Sequence, residues 1–227
     1  MSVFIQAANQ ISAQKPLTDE WMTQPIFYAK QPQRRVPTID PDFSPHFAPL
    51  VSRRMCKLLK RAVLLSRLTL QQAEVAMPDA IISGTGLGCI DNTEQFIRAI
   101  MNNGEQLLQP TYFMQSTHNI LSSTIAIDLK CHGYNNTFVN RGVSFENALL
   151  DAVIQLKMKR IRTALVGGYD EMTDDYHIFF DRLGIWDFEP DTEVEPPFNH
   201  CFAGEAAVGM LLNDERNEHT ICELKDI

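Results

Sequence analysis

Thiols and imidazoles are the side chains best suited to attack a carbonyl or hold a metal, and here they are scattered. The 227 residues include six histidines and five cysteines, the latter at Cys56, Cys89, Cys131, Cys201 and Cys222. No Cys-x-x-Cys or His-x-x-x-His pair occurs, so the spacing indicates neither a zinc site nor a redox motif. We therefore expect reduced thiols, no metal and no cofactor. His118 and His132 are each candidate general bases, although a single histidine is more often structural.

Two glycine-containing motifs suggest further chemistry, and each lacks a required residue. Gly84-Thr85-Gly86-Leu87-Gly88 follows a predicted strand, but Cys89 stands where a dinucleotide fingerprint needs its third glycine. A tight turn is the better interpretation. The segment Gly142-Val143-Ser144-Phe145-Glu146 lacks the glycine that a hydrolase nucleophile elbow needs two residues after the serine. Neither nucleotide binding nor serine hydrolysis is therefore predicted.

Charge and hydropathy narrow the possible partners. The net charge of −8 argues against nucleic-acid binding. No apolar run approaches the roughly 20 residues that span a bilayer, and the first residues lack the basic region of a signal peptide, so we expect a cytoplasmic protein without a membrane span. Basic residues cluster in one predicted helix, at Arg53, Arg54, Lys57, Lys60, Arg61 and Arg67. They form either a solvated helix face or a dock for an acidic partner.

The elements that must position these residues alternate between strand and helix. Strands are predicted at residues 3–11, 79–83, 137–140, 163–166, 206–212 and 220–224, and helices after a cap at Ser52, after an Asp91/Glu94 capping box, and at 116–129 and 144–157. This order predicts an α/β chain whose sheet is covered by helices on both faces. With no repeat or linker, residues 1–227 are expected to form a single domain.

Residues from Ser52 to about Leu224 resemble the N-terminal half of the β-ketoacyl synthases, which are thiolase-like condensing enzymes. The matching segments, in the family's order and spacing, are SGTGLGCIDNTEQFIRAIMNNG, NTFVNRGVSFENAL, TALVGGYDE and FAGEAAVGMLLN. The resemblance implies a thiolase-like fold with a mixed sheet. STHN, KCHGY and RGxSFE together are similar to chain length factors, the ketosynthase-like proteins of aryl-polyene and flexirubin-type pigment clusters.

The resemblance places Gly142 on the cysteine that carries the acyl chain in this family. Glycine has no thiol, so an acyl thioester cannot form there, and no catalytic residue is predicted. The family's active-site histidines lie in its second half, in His-Gly-Thr-Gly-Thr and a later segment, and neither segment occurs in this sequence. A half-length homologue and a part of a longer protein both fit this pattern.

Partners are also implied by the resemblance. An acidic acyl carrier protein docks on basic residues near the pocket mouth of these enzymes, here at Arg54 and Lys57. The dimer interface falls on the helix segment Ser116, Thr117, His118 and Asn119 and on the strand Thr137, Phe138, Val139 and Asn140. We expect this strand to pair across a dimer axis, in a homodimer or with an active ketosynthase, and proline at Phe138 to break the pairing.

Three functions remain open from the sequence. The leading one is a non-catalytic ketosynthase-like subunit that helps an active ketosynthase to measure chain length in polyketide or unusual fatty-acid synthesis. The second is an active acyltransferase with a displaced thiol, at Cys131 or Cys201. The third is an interaction module that binds the carrier protein or a partner.

Overall fold

The computed structural model describes residues 2–13, 35–104, 106–186 and 203–225. The strands are β1 (Val3–Ile11), β2 (Arg35–Val36), β3 (Ala80–Gly84), β4 (Tyr134–Phe138), β5 (Thr163–Asp170), β6 (Ala203–Gly204), β7 (Ala206–Asn213) and β8 (Cys222–Leu224). The helices are α1 (Pro49–Ser52), α2 (Lys57–Gln72), α3 (Ile90–Asn103), α4 (Pro110–Ser116), α5 (Ile120–Leu129), α6 (Ser144–Lys157) and α7 (Asp174–Arg182). A 3-10 turn, Arg141–Val143, joins β4 to α6.

Six strands form one mixed sheet in the order β4-β3-β5-β7-β1-β8. Strands β4, β3 and β5 run parallel, and β7, β1 and β8 add in antiparallel fashion. Strands β2 and β6 form a separate parallel pair. The parallel strands therefore end at a common edge, where the chain turns from β3 into the glycine-rich segment and from β4 into α6.

Helices cover both faces of the sheet, as the sequence predicts. On one face α2 and α5 pack over buried side chains such as Ile81, Leu165 and Leu211. On the other face α6 packs its Ala148, Ala152 and Leu156 over alternate residues of the same strands. This alternation is the two-residue period of a strand buried on both sides.

Helix α2 begins later than the sequence predicts. Pro49 opens the short helix α1, because proline fits a first helical turn, and Ser52 ends that helix instead of capping the next one. Cys56 adopts an extended conformation and precedes Lys57, the first residue of α2. Arg53 and Arg54 therefore lie before the helix, and the predicted single basic helix is wrong.

Two further boundaries differ because side chains compete for backbone partners. The Asp91/Glu94 capping box does not form, since α3 starts at Ile90 and the Glu94 carboxylate accepts a hydrogen bond from the Thr173 hydroxyl. The predicted helix 116–129 is two helices. Between them the hydroxyls of Ser116 and Thr117 donate to carbonyls three residues earlier, which competes with helix propagation.

Strand β4 ends at Phe138, two residues before its predicted end. The chain turns there because the Asn140 amide donates to the Ser144 hydroxyl, 2.9 Å away. Helix α6 occupies the predicted residues 144–157. None of the helices within the described ranges is both long and apolar enough to cross a membrane.

Candidate functional site

The elbow between β4 and α6 forms the centre of the candidate site. Its Ser144 hydroxyl donates to the Arg141 carbonyl at 2.6 Å, which fixes the turn from the inside. Arg141 adopts a left-handed conformation with φ of 54°. Gly142 is exposed at the apex, and a Cβ atom at this position would meet nothing within 4 Å. The local packing therefore leaves room for a side chain that the sequence does not provide.

The glycine-rich turn packs directly against this elbow. A Cβ atom on Gly84 would lie closer than 3.0 Å to the Ser144 carbonyl, and one on Gly86 would lie 3.2 Å from the Arg141 carbonyl. Both positions need glycine because two backbones approach here. The motif that suggests nucleotide binding serves instead to support the elbow.

Asp170, the last residue of β5, occupies the donors of that turn. Its carboxylate accepts hydrogen bonds from the Thr85 hydroxyl at 2.9 Å and from the amides of Gly86 and Leu87 at 3.0 and 2.8 Å. Burial raises the pKa of Asp170, and these donors offset part of the effect. Because a carboxylate of the chain already uses these amides, they are not free to bind a phosphate.

His118 lies beside the same turn, between α4 and α5. A Cβ atom on Gly88 would approach its ring to 3.1 Å, and a positive charge on His118 would lower the pKa of Asp170. Thr137 joins β4 to α5 through a 2.6 Å hydrogen bond with Ser122. The structure thus brings the predicted segments 116–119 and 137–140 to the start of α5, next to the elbow.

His132 and Cys131 are not part of this arrangement. Both precede β4, whereas the elbow follows it. Cys131 is buried, and its thiol donates to the Pro78 carbonyl at 3.3 Å. Cys201 lies outside the described residues.

Arg54 and Lys57 line different depressions of the surface. Arg54 borders a groove of about 370 Å³ whose walls include the exposed apolar residues Leu50, Val51 and Ile127. Lys57 borders a larger cleft of about 470 Å³, and its ammonium lies 3.6 Å from the Asp40 carboxylate. The two predicted carrier contacts are therefore separate features.

Two other basic residues of this region, Arg61 and Arg67, are held within the fold. Arg61 is fully buried and binds Asp40 at 2.9 Å and Glu205 at 3.1 Å. Arg67 binds Asp128 at 2.8 Å and lies over the ring of Phe47. These charges stabilise the packing of α2 and do not form an open basic surface.

Glu171 is the most perturbed acid of the larger cleft, and residue spacing does not single it out. Burial raises its pKa to about 7, and an amide hydrogen bond from Asp91 offsets part of this shift. The sequence contains one signal for this residue, the pair of adjacent acidic residues that ends TALVGGYDE. Only the structure shows which of the two belongs to the cleft. Among the described residues, no three histidine, cysteine or acidic side chains are grouped to hold a metal.

A comparison with protein-family models identifies the family of this chain. The family model described as Beta-ketoacyl synthase, N-terminal domain, matches residues 19–217 of the 227. The chain belongs to this family. A comparison with curated proteins found no match.

Solved structures of ketosynthases share the architecture of this β-ketoacyl synthase family chain. A β-ketoacyl synthase from Burkholderia phymatum STM815 aligns with a TM-score of 0.75 at 15% identity, over 93% of this chain and 59% of that one. A chain from the complex of the ketosynthase ApeO with its chain length factor ApeC, from Xenorhabdus doucetiae, gives 0.67 at 19% identity, with coverages of 94% and 79%. A chain from AntDE:AntF, a type II PKS acyl-carrier protein in complex with its ketosynthase, gives 0.79 at 12% identity, with coverages of 99% and 67%.

At these identities the likeness shows the fold alone. It confirms the predicted thiolase-like α/β architecture with a mixed sheet and helices on both faces. The chain spans 59% of the length of the first of these relatives.

Proposed function

We propose that this chain is a non-catalytic β-ketoacyl synthase-like subunit of the chain-length-factor type. It would act with an active ketosynthase and an acyl carrier protein in polyketide or unusual fatty-acid synthesis, of which aryl-polyene synthesis is the example that the sequence resemblance favours. The observation that carries this proposal is Gly142 at the exposed apex of an otherwise intact elbow.

The elbow keeps its supports and lacks a nucleophile. Ser144 locks the turn, and Gly84 and Gly86 hold the neighbouring backbone against it. Covalent catalysis needs an activated attacking atom at the apex, and glycine has none. A scaffold maintained without its reactive group is what a partner subunit needs to shape a shared cavity.

A displaced cysteine is less well supported by the described residues. Cys131 and the elbow lie at opposite ends of β4, and five strand residues extend over roughly 17 Å. The Cys131 thiol is also buried against the Pro78 carbonyl. Moving Cys131 into reach of an acyl group at the elbow would require unfolding α5 or β4.

Strand β4 provides the surface for a ketosynthase partner. Among the strands of the described residues it lies at the edge of the sheet, with β3 on its inner side. Tyr134 and Phe138 direct their backbone groups inward to Asp79 and Thr85, so the alternate strand residues Asn135 and Thr137 direct theirs outward, where the Thr137 amide donates to the Asn136 side chain at 3.0 Å. An uncovered edge invites pairing with another strand. Exposed apolar side chains lie nearby, at Phe113, Val139 and Val143.

Carrier docking is proposed at the groove beside Arg54. Leu50, Val51 and Ile127 offer apolar contact there, and the Arg54 guanidinium offers a positive charge to an acidic protein. Lys57 is the less favourable candidate for a carrier contact, because it lies in the other cleft near Asp40.

The test combines the full chain with carrier-bound acyl and malonyl groups, with and without a ketosynthase from the same gene neighbourhood. Alone, the chain is expected to release no 3-ketoacyl product and to carry no acyl adduct in intact-mass spectra. With the ketosynthase it is expected to co-purify and to change the length distribution of the products. A 3-ketoacyl product or a covalent acyl group on the chain alone would overturn the proposal.

A further inference from the structure

Two thiols meet at the point where helices α2 and α3 begin. Cys56 directly precedes α2 and Cys89 directly precedes α3. Their Sγ atoms lie 3.4 Å apart, although the residues are 33 positions apart in the chain. Neither thiol has a role in the proposed function.

The separation is close to what a disulfide requires. Bonded sulfurs lie about 2.05 Å apart, so the pair must approach by roughly 1.3 Å, which small side-chain rotations can provide. The surrounding backbone is fixed by Gln115, whose Oε1 accepts from the Cys56 amide at 3.2 Å and from the Asn92 side chain at 2.8 Å. This side chain ties the start of α2 to the first turn of α3 and keeps the thiols together.

The two thiols differ in access. Cys56 is partly exposed, whereas Cys89 is fully buried. Contact with Cys56 and burial together raise the pKa of the Cys89 thiol, so it stays protonated in the reduced protein. An external reagent therefore reaches Cys56 first, and Cys89 is placed to resolve the product.

We propose that Cys56 and Cys89 form a reversible dithiol–disulfide pair that reacts with small-molecule disulfides such as glutathione disulfide. The Cys56 sulfur attacks one sulfur of the reagent, forms a mixed disulfide and releases one small thiol. The Cys89 thiol then passes its proton to the departing small-molecule sulfur as its own sulfur attacks Sγ of Cys56, which releases the second small thiol. The two protons of the protein thiols go to the two released thiols. The protein loses two electrons, and the reagent gains them.

The bond would fix two walls of the larger cleft. Lys57, which follows Cys56, lines this cleft opposite Asp91 and Glu94 of α3. A disulfide at the two helix starts holds these side chains at a set spacing and constrains the unfolded chain. This inference stands on the thiol geometry and does not depend on the proposed function.

The experiment exposes the full reduced chain to glutathione buffers of increasing disulfide fraction, followed by alkylation of free thiols. Intact-mass spectra are expected to show two fewer alkylated thiols and no glutathione adduct, and peptide mapping is expected to join residues 56 and 89. Dithiothreitol is expected to reverse the change, and the oxidised chain is expected to show the higher Tm.

Variants make the test specific. Cys56→Ser is expected to abolish the cross-link, and it should fold because serine favours a helix start. Cys222→Ser removes an exposed thiol and is the matched control that should keep the cross-link. Phenylarsine oxide, which bridges two neighbouring thiols, is expected to bind once per chain and to bind no longer after Cys56→Ser. A lasting glutathione adduct on Cys56, a cross-link between other cysteines, or five thiols that stay free would each overturn the proposal.

Discussion

Gly142 is unusual among the glycines that shape the site, because its surroundings do not require it. Gly84 and Gly86 touch the elbow backbone, whereas a side chain at Gly142 would point into open space. Its φ angle also lies outside the left-handed region. At the residue scale, the absence of a side chain at Gly142 is therefore a chemical feature and not a consequence of the fold.

Substitutions at Gly142 should test this point. Gly142→Ala is expected to raise the free energy of unfolding by about 0.5 kcal/mol, because the unfolded chain loses freedom. Gly142→Cys should fold equally well and should react with iodoacetamide, but it should not condense acyl groups without the histidine segments. The matched control Gly84→Ala should lower stability by several kcal/mol, since its Cβ collides with the Ser144 carbonyl. Urea denaturation compares the three, and a large stability loss at Gly142 would contradict the geometry.

Glu171 makes stability depend on pH. Its folded-state pKa of about 7 lies above the ordinary value of 4.5, so the unfolded chain ionises first as pH rises. The free energy of unfolding therefore falls between about pH 4.5 and pH 7. Glu171→Gln should remove this loss and stabilise the protein by about 3 kcal/mol at pH 8, with little effect at pH 4.5.

Urea denaturation at several pH values measures the Glu171 effect. Glu218→Gln is the control, because that side chain is 88% exposed. An equal gain at pH 4.5 and pH 8 for Glu171→Gln would show that burial of the ionised carboxylate is not the cause.

At the scale of elements, the edge of β4 among the described strands is where we expect the chain to associate. The proline at Phe138 predicted from the sequence is a poor probe, because Phe138 pairs with Gly84 of β3 and directs its backbone groups into the subunit, so the amide that proline lacks would be lost on the β3 side. Proline at this position would disturb the pairing of β4 with β3, so a loss of association would not test the outer edge of β4. Val139 directly follows β4, beyond the pairing of that strand with β3, and its side chain is 43% exposed.

Val139→Pro is therefore expected to weaken dimerisation or ketosynthase binding while leaving the fold intact. Proline removes the Val139 amide donor, which a strand added along β4 would use. Val139→Ala keeps that donor and should still associate. Light scattering at micromolar concentration separates the two, and equal masses for both variants would exclude pairing through this edge.

At the scale of the whole molecule, the net charge of −8 does not describe which basic residues are available to a partner. Arg61 and Arg67 are neutralised within the fold, whereas Arg54 borders the open apolar groove. Association with an acidic carrier would therefore depend on few positive charges. Salt should weaken such binding, since exposed charges are screened at high ionic strength.

Charge reversal tests the carrier groove. Arg54→Glu should weaken carrier binding by on the order of 1 kcal/mol, or about fivefold in Kd, and should flatten its salt dependence. Lys157→Glu is the matched control, because residue 157 ends α6 on the opposite face of the sheet. Calorimetry at two salt concentrations measures both, and equal affinities for the two variants would remove the groove from the interface.

The sequence by itself determined the architecture and the position of Gly142 just before helix α6. Local periodicity predicts the alternation of strand and helix, so α6 and the buried strands could be predicted. Backbone geometry predicts the tight turn at the glycines of GTGLG. Local signals misplaced the starts of α2 and α3, since Ser52 and Asp91 are good caps in isolation, while long-range contacts at Gln115, Thr173 and Glu171 set the real helix starts.

Only the tertiary structure decided which groups meet. Asp170 accepts hydrogen bonds from the glycine-rich turn, and Arg61 forms a buried ion pair with Glu205. Cys56 contacts Cys89, which is 33 positions away in the chain. None of these pairs has a spacing that local periodicity can reveal, because each joins residues that are far apart in the chain and meet only in the packed structure. Burial and contact between distant residues are properties of the packed chain, and they fix the chemistry that the residue types alone leave open.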